Sequence, residues 1–243
     1  MNSRKREARV AGALYLALVL TAAFSLQYIP SAFIVHGNAA ATASKIASSE
    51  LLYRIGVVSD LASQIIFVFL VLALYHLLKV VNKRHAALMV ALVLVSVPLS
   101  FVNTLNMSAP LVLLSGADFL SVFDKHQLDA LAMGFLQLRN FGIDAVTVLW
   151  GLWLLPFGLL VFRSGFIPRI LGVLLIVGCF ANLAVSLTSL LFPPYAHIVD
   201  QLMGVPASAG ELTIMLWLLI KGARTEPLED QLSESGNRAA VVA

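Results

Sequence analysis

The sequence predicts an all-α integral membrane protein, a bundle of about six transmembrane helices with both termini in the cytoplasm. Three observations predict this fold class. Apolar residues make up 60% of the 243 positions and charged residues 12%, about half the charged fraction of a soluble domain. The apolar residues form long runs, and lysine and arginine gather at alternate ends of those runs.

Six apolar runs are long enough to cross a membrane. An α-helix rises about 1.5 Å per residue, so about 20 residues cross a hydrocarbon core of about 30 Å. The runs cover residues 10–29, 61–80, 86–114, 142–162, 170–192 and 207–220. We therefore assign residues 1–222 to a single transmembrane helical domain. Residues 223–243 are polar and uneven in composition, and we predict a disordered cytoplasmic tail there.

The positions of lysine and arginine predict the orientation. If the N-terminus lies inside, the outer side keeps only Lys45, Arg54, Lys125 and Arg139. The inner side then collects the larger set: Arg4, Lys5, Arg6, Arg9, Lys79, Lys83, Arg84, Arg163, Arg169, Lys221 and Arg224. This asymmetry follows the positive-inside rule and predicts cytoplasmic termini. The net charge of +3 therefore reflects topology, and we expect no nucleic-acid partner because the basic residues form no folded patch.

The outer connections carry two helix-start signals. Asn38 precedes an Ala/Ser stretch and predicts a short helix at the membrane surface. Asp124 and Gln127 have the spacing of a capping box. A helix over Lys125–Arg163 would be about 57 Å long, too long for one span, so we predict a break or bend near residues 140–142, "NFG".

Polar side chains recur at helical spacing inside four of the runs. Residues three or four apart share a helix face. The aligned sets are Ser96, Ser100, Asn103 and Asn106; Cys179, Asn182, Ser186 and Ser189; Asn140, Asp144 and Thr147; and Asp60 with Gln64. They indicate an inward-facing polar pocket reached from the outer side. The alternative is ordinary helix–helix contact, worth about 0.6 kcal/mol per contact.

Charged residues in the membrane-spanning helices need partners, because each costs about 2.5–3.5 kcal/mol at a helix centre. Arg54 and Asp60 are six residues apart, and Arg139 and Asp144 are five apart. At about 100° per residue neither pair shares a helix face. We therefore expect cross-helix pairs, Arg54 with Asp144 or Arg139 with Asp60. The alternative is a set of interface ion pairs in which the arginines reach the lipid headgroups.

Glu211 stands in the last apolar run. Ser208 precedes it by three residues, the spacing of a capping box, and Pro206 stands just before. Either a short helix begins there and Glu211 caps it, or the helix begins near Ile198 and kinks at the proline. Both place a carboxylate inside the membrane, about 15 Å from Lys221. A carboxylate there is suited to proton exchange or cation binding.

The candidate ligand- or proton-binding residues are Glu211, Asp60, Asp144, Arg54, Arg139, Asn103, Asn106, Asn182 and Gln64. We expect no cofactor and no metal site. His36, His126 and His197 fall in the outer connections without metal-ligand spacing, and Cys179 is the single cysteine.

Several segments resemble the domain-of-unknown-function 4386 family of uncharacterised bacterial membrane proteins. They are "RVAGALYL", "RIGVVSD", "LYHLLKVVNK", "LLSGADFL", "FRSGFIPRILGVLL" and "GELTIMLWLLIKG". The resemblance implies a multi-pass protein of the bacterial cell (inner) membrane and brings no activity, substrate or cofactor. The segments that carry the resemblance include Arg54, Asp60, Arg163, Arg169 and Glu211.

Two functional hypotheses follow. The first is a small transporter or a ligand-binding or sensing membrane protein, with an outer-facing polar pocket and a protonatable carboxylate. The second is a membrane-embedded enzyme acting on a lipophilic substrate, with Asp60, Asp144 or Glu211 as general acid or base. No catalytic motif such as HExxH or a glycine-rich phosphate loop is present. The expected partners are the lipid bilayer and a lipid or small-molecule ligand.

Overall fold

The computed structural model describes residues 3–223, which contain nine α-helices and no strand. One π-helical turn, Phe24–Tyr28, joins α1 to α2, and one 3-10 turn, Asp118–Leu120, precedes α6. The helices are α1 (Ser3–Ala23), α2 (Ile29–Phe33), α3 (Ala39–Ser48), α4 (Glu50–Leu78), α5 (Lys83–Leu113), α6 (Lys125–Leu152), α7 (Leu154–Arg163), α8 (Arg169–Leu191) and α9 (Pro193–Ile220). The predicted tail, apart from Ala223, lies outside the described residues.

Six helical segments are long and apolar enough to cross a membrane, which confirms the predicted all-α bundle of about six membrane-spanning helices. They are Arg4–Phe33, Glu50–Leu78, Lys83–Leu113, Lys125–Arg163, Arg169–Leu191 and Pro193–Ile220. Their number and order are those of the six apolar runs. α1 and α2 belong to one segment, and so do α6 and α7.

Of the break or bend predicted at residues 140–142, the break is wrong. α6 continues through them, and the helix is interrupted for one residue only, at Trp153. Pro156 explains this position, because proline has no N–H to donate to the carbonyl of Leu152. The long helix is accommodated in another way. The last roughly 20 residues of this segment, ending at Arg163, are long enough to cross the hydrocarbon core. The first half of α6 therefore extends beyond the core.

The starts of α3 and α6 confirm both capping predictions. The Asn38 side chain accepts a hydrogen bond from the Ala41 N–H at the start of α3. Asp124 and Gln127 form a reciprocal capping box at the start of α6. α3 packs against α6, so the short surface helix covers part of α6 that stands beyond the hydrocarbon.

The last helix corrects the capping-box interpretation of Glu211. α9 begins at Pro193 and continues through Pro206. The Ser208 hydroxyl donates to the Gly204 carbonyl at 2.8 Å, as a residue within a helix does. Glu211 therefore lies well inside a helix of about 42 Å, and it does not cap a short one. Proline is favoured in a first turn, where its missing N–H is not needed, which explains the earlier start at Pro193.

Glycines allow α9 to approach both of its neighbours. A Cβ on Gly210 would lie 2.7 Å from backbone atoms of Leu174 in α8. A Cβ on Gly12 in α1 would lie 2.5 Å from the backbone nitrogen of Leu219. These backbones are in direct contact, as is common where membrane helices pack through small residues. The position of Glu211 relative to α1 and α8 is thereby fixed.

The two ends of the described chain lie on the same side of the bundle. An Arg9 guanidinium nitrogen donates to the Ile220 carbonyl at 3.3 Å, and Gly222 lies beside the Lys5 side chain. An even number of spans produces this arrangement.

We expect this shared end to face the cytoplasm, because the basic residues concentrate there. A reporter enzyme that is active only outside the cytoplasm, fused after Gly222, should therefore be inactive. The same reporter inserted after Gly37, in the connection before α3, should be active and serves as the control. Activity of the fusion after Gly222 would contradict the orientation.

Candidate functional site

A cavity of about 180 Å³ lies inside the bundle, between α1, α4, α6, α8 and α9. It is lined by Tyr15, Leu18, Val19, Ala22, Leu26, Ser63, Gln64, Phe67, Trp150, Trp153, Asn182 and Glu211. Glu211 is about 15 Å along its helix from Lys221, and Gln64 is about 22 Å from Lys79. Against a hydrocarbon core of about 30 Å, the cavity lies near mid-depth.

Glu211 meets Tyr15 in this cavity. The Tyr15 hydroxyl donates to Glu211 Oε2 at 2.5 Å, which joins α9 to α1. The helix pattern explains why the carboxylate points inward. Ile214, Met215 and Leu218 are buried, and they lie three, four and seven residues after Glu211 on the same helix face. Packing of this apolar face carries the carboxylate into the bundle.

Two buried polar atoms on the cavity lining have no hydrogen-bond partner within residues 3–223. They are Gln64 Oε1, an acceptor, and Trp150 Nε1, a donor. Gln64 uses its amide nitrogen to reach the Ser63 hydroxyl at 3.3 Å. An unsatisfied buried polar group costs about 1–3 kcal/mol, so a water or a ligand in the cavity is the expected partner.

Aromatic rings pack together on the part of the cavity lining that is nearer the basic helix ends. Trp153 stacks on Phe157 with ring centroids 5.2 Å apart and meets Phe67 edge-on at 5.1 Å. Tyr15 lies 6.3 Å from the same indole. Trp153 and Tyr15 are each 1% exposed. We call Tyr15, Phe67 and Trp153 the aromatic floor of the cavity. The interruption between α6 and α7 at Trp153 lies in this floor.

Most buried polar side chains lie in one half of the bundle. The buried polar side chains of the described residues are Ser25, Thr42, Asp60, Ser63, Gln64, Ser96, Ser100, Thr104, Asp129, Arg139 and Ser186. Those on the spanning helices lie about 20 Å or more along the helix from its basic end. Below the aromatic floor, the core consists of apolar side chains such as Leu70, Leu74, Phe157 and Leu218.

A buried ion pair lies next to the cavity, farther from the basic ends. Arg139 Nη2 is 3.7 Å from Asp60 Oδ1, and the two residues are 3% and 7% exposed. Of the two predicted cross-helix pairs, this is the one that the structure forms. The Thr104 hydroxyl donates to Asp60 Oδ2 at 2.6 Å, which ties α5 to the same carboxylate.

Backbone carbonyls complete the surroundings of Arg139. Its guanidinium donates to the carbonyl of Ser25 at 3.4 Å, within the π-helical turn of the first span. π-helical turns of this kind are often found at functional sites. The Asn103 amide donates to the Arg139 carbonyl at 3.0 Å. Gly142 gives Asn103 its room, because a Cβ there would collide with the Asn103 side chain.

The ion pair and the cavity are neighbours along α4. The Ser63 hydroxyl donates to the backbone carbonyl of Asp60 at 2.7 Å, a bond within the helix, and accepts from the Gln64 amide. Ser63 and Gln64 line the cavity, and Asp60 lies one helical turn away.

Other candidates lie apart from the cavity. Arg54 is bonded to Glu50, one turn away on its own helix, at 2.6 Å, and both side chains are more than half exposed. The alternative pair of Arg54 with Asp144 does not form.

Asp144 accepts from the Ser189 hydroxyl at 2.7 Å. Asn106 donates to Asn103 at 3.2 Å. The candidate residues therefore do not share one pocket. Glu211, Gln64 and Asn182 line the cavity, and the other candidates lie outside it.

The sequence prediction missed the aromatic side chains of the cavity, Tyr15, Phe67, Trp150 and Trp153. One signal existed for Tyr15. Ala8, Ala11 and Tyr15 are all buried, and their spacing of three and four is that of one helix face. Small residues on such a face mark close helix packing, so a tyrosine continuing it is expected to point into the bundle.

Comparison with known proteins places the chain in a family. No curated protein and no solved structure matches it. A family model described as "Domain of unknown function (DUF4386)" matches residues 10–222, which include all six membrane-crossing segments except the first residues of α1. The chain therefore belongs to the DUF4386 family.

Proposed function

We propose that this protein binds a small organic molecule within the membrane, as a ligand-binding or sensing protein, with Glu211 as its protonatable anchor. The observation that carries the proposal is the cavity, which presents a carboxylate together with an acceptor on Gln64 and a donor on Trp150 that have no partner among residues 3–223. A dry cavity of about 150 Å³ is known to hold one benzene molecule. The cavity here is slightly larger and has polar groups contributed by different helices.

The distribution of polar groups supports binding over passage through the bundle. Transport would gain support from a polar path that continues to the basic helix ends. Instead, Trp153 and Phe67 pack together on that side of the cavity, with apolar side chains below them. With the basic ends in the cytoplasm, as the positive-inside rule favours, the polar half of the bundle faces outward and a ligand enters from the outer side.

The enzyme hypothesis gains no support from the arrangement of the carboxylates. General acid–base catalysis on one substrate would favour their convergence on one cleft. Glu211 lines the cavity, whereas Asp60 is held by Arg139 and Thr104, and Asp144 is bonded to Ser189. The geometry therefore favours recognition over chemistry.

The binding of one-ring probes tests this function. Trp150 and Trp153 line the cavity, so a molecule that enters should change the tryptophan fluorescence of the purified protein in a saturable way. We expect benzyl alcohol or benzylammonium to do so. Replacing Ala22, which lines the cavity, with leucine should abolish the response by filling the space.

The control for the Ala22→Leu variant is Ala13→Leu, because Ala13 is an exposed alanine of the same helix. It should respond as the wild type does. The proposed function fails if neither probe gives a saturable signal, or if Ala22→Leu leaves the signal unchanged.

A further inference from the structure

We infer that the ligand is a small organic cation, a protonated amine or a quaternary ammonium ion. This inference rests on the proposed function and specifies the ligand of the same cavity. Its basis is the combination of one carboxylate, four aromatic rings and one free acceptor on a lining without a basic residue.

The charge of the cavity favours a cation. Within the part of the chain that the structure describes, Glu211 is the only charged side chain that lines the cavity, and it forms no salt bridge there. The nearby guanidinium of Arg139 is already held by Asp60 and the Ser25 carbonyl. A carboxylate away from water is stabilised by an opposite charge in contact with it. A positively charged ligand supplies that charge, whereas an anionic ligand would add to the repulsion.

The aromatic lining matches the same class of ligand. Tyr15, Phe67, Trp150 and Trp153 all contribute to the cavity wall. Cations bind to the faces of aromatic rings, most strongly to tryptophan, and cages of such rings are known to recognise ammonium groups. Gln64 Oε1, unpartnered among the described residues, can accept a hydrogen bond from an N–H of the amine.

The size of the cavity limits the ligand. About 180 Å³ accommodates a molecule a little larger than benzene, such as benzylammonium. A two-chain phospholipid is far too large. Trp150 Nε1, the unpartnered donor, adds a preference for an amine that also carries a hydroxyl or ether oxygen.

Proton binding should compete with the cation. Glu211 and Tyr15 are the titratable residues on the lining, and they face each other across a hydrogen bond. The other elements contribute Ser63, Gln64, Trp150 and Asn182 as polar side chains, none of which titrates. Protonation of Glu211 removes the negative charge, so acid should weaken the binding of an ammonium ion and leave a neutral molecule unaffected.

Three probes that share a benzyl or phenyl ring test the inference: benzylammonium, benzyl alcohol and benzoate. Their affinities for the purified full-length protein are measured by tryptophan fluorescence at neutral pH. We expect benzylammonium to bind at least about tenfold more tightly than benzyl alcohol, and benzoate not to bind. On titration from about pH 8 to about pH 4, which covers the ordinary glutamate pKa of about 4.3, the affinity for benzylammonium should fall.

Two variants separate the contribution of charge from that of shape. Glu211→Gln keeps the size of the side chain and removes the charge, so it should abolish the preference for benzylammonium over benzyl alcohol. Glu50→Gln removes an exposed carboxylate outside the cavity and should retain that preference, and the pH titration of the wild type provides a test that does not depend on the stability of the Glu211 variant.

The outcomes distinguish the two proposals. If benzyl alcohol binds as tightly as benzylammonium and Ala22→Leu abolishes both signals, the cavity is a binding site but its ligand is not a cation. If benzoate binds best, the charge argument is wrong. If no probe binds, the proposed function fails together with this inference.

Discussion

Replacing Asp60 with asparagine is expected to lower the free energy of unfolding by about 3–5 kcal/mol, the usual cost of removing one partner from a buried ion pair. Asparagine has the same shape and can still accept the hydrogen bond from Thr104. It leaves the charge of Arg139 buried without its counter-charge, and that residue is 3% exposed. Unfolding of the detergent-solubilised protein, followed by circular dichroism, measures the change.

The pair of Glu50 and Arg54 provides the control. Both side chains are more than half exposed, so Glu50→Gln should change stability by less than about 1 kcal/mol. The double variant Asp60→Asn, Arg139→Gln should recover much of the lost stability, because it removes the unpaired charge. Unchanged unfolding of the Asp60→Asn variant would show that water or headgroups screen the pair.

The fold could be predicted from the sequence because hydrocarbon imposes a strong length requirement on apolar helices. The Arg139–Asp60 pair could also be predicted, since helix geometry excluded the pairs within each helix. The predicted pair of Arg54 with Asp144 was wrong because a partner one turn away on the same helix was overlooked. Glu50 lies at the favourable four-residue spacing, and a local exposed pair needs no cross-helix partner.

The cavity could not be predicted, because it depends on how helices distant in sequence approach one another. Tyr15 and Glu211 are 196 residues apart in sequence, and nothing near either residue identifies the other. The capping-box spacing of Ser208 and Glu211 was misleading for a related reason. Spacing alone does not show whether a helix begins at Ser208 or passes through it, and α9 continues through Pro206. The packing of α9 against α1 and α8 decides where Glu211 points.

That packing leads to a second large effect: Gly210→Ala should destabilise the protein by about 1–3 kcal/mol, the usual cost of overpacking a close contact. The added Cβ would lie 2.7 Å from the backbone of Leu174, and backbone atoms cannot move aside as a flexible side chain can. α9 would have to shift away from α8 and would carry Glu211, the next residue, with it. Binding of benzylammonium should therefore weaken along with stability.

Gly204 in the same helix provides the matched control, because a Cβ there meets nothing within 4 Å. Gly204→Ala should preserve or raise stability, since alanine is favoured over glycine in a helix by about 1 kcal/mol, and it should leave probe binding unchanged. Thermal unfolding of both variants in the same detergent measures the difference. Equal stability of the two variants would mean that α8 and α9 are not in backbone contact at Gly210, and the position of Glu211 in the cavity would lose its structural support.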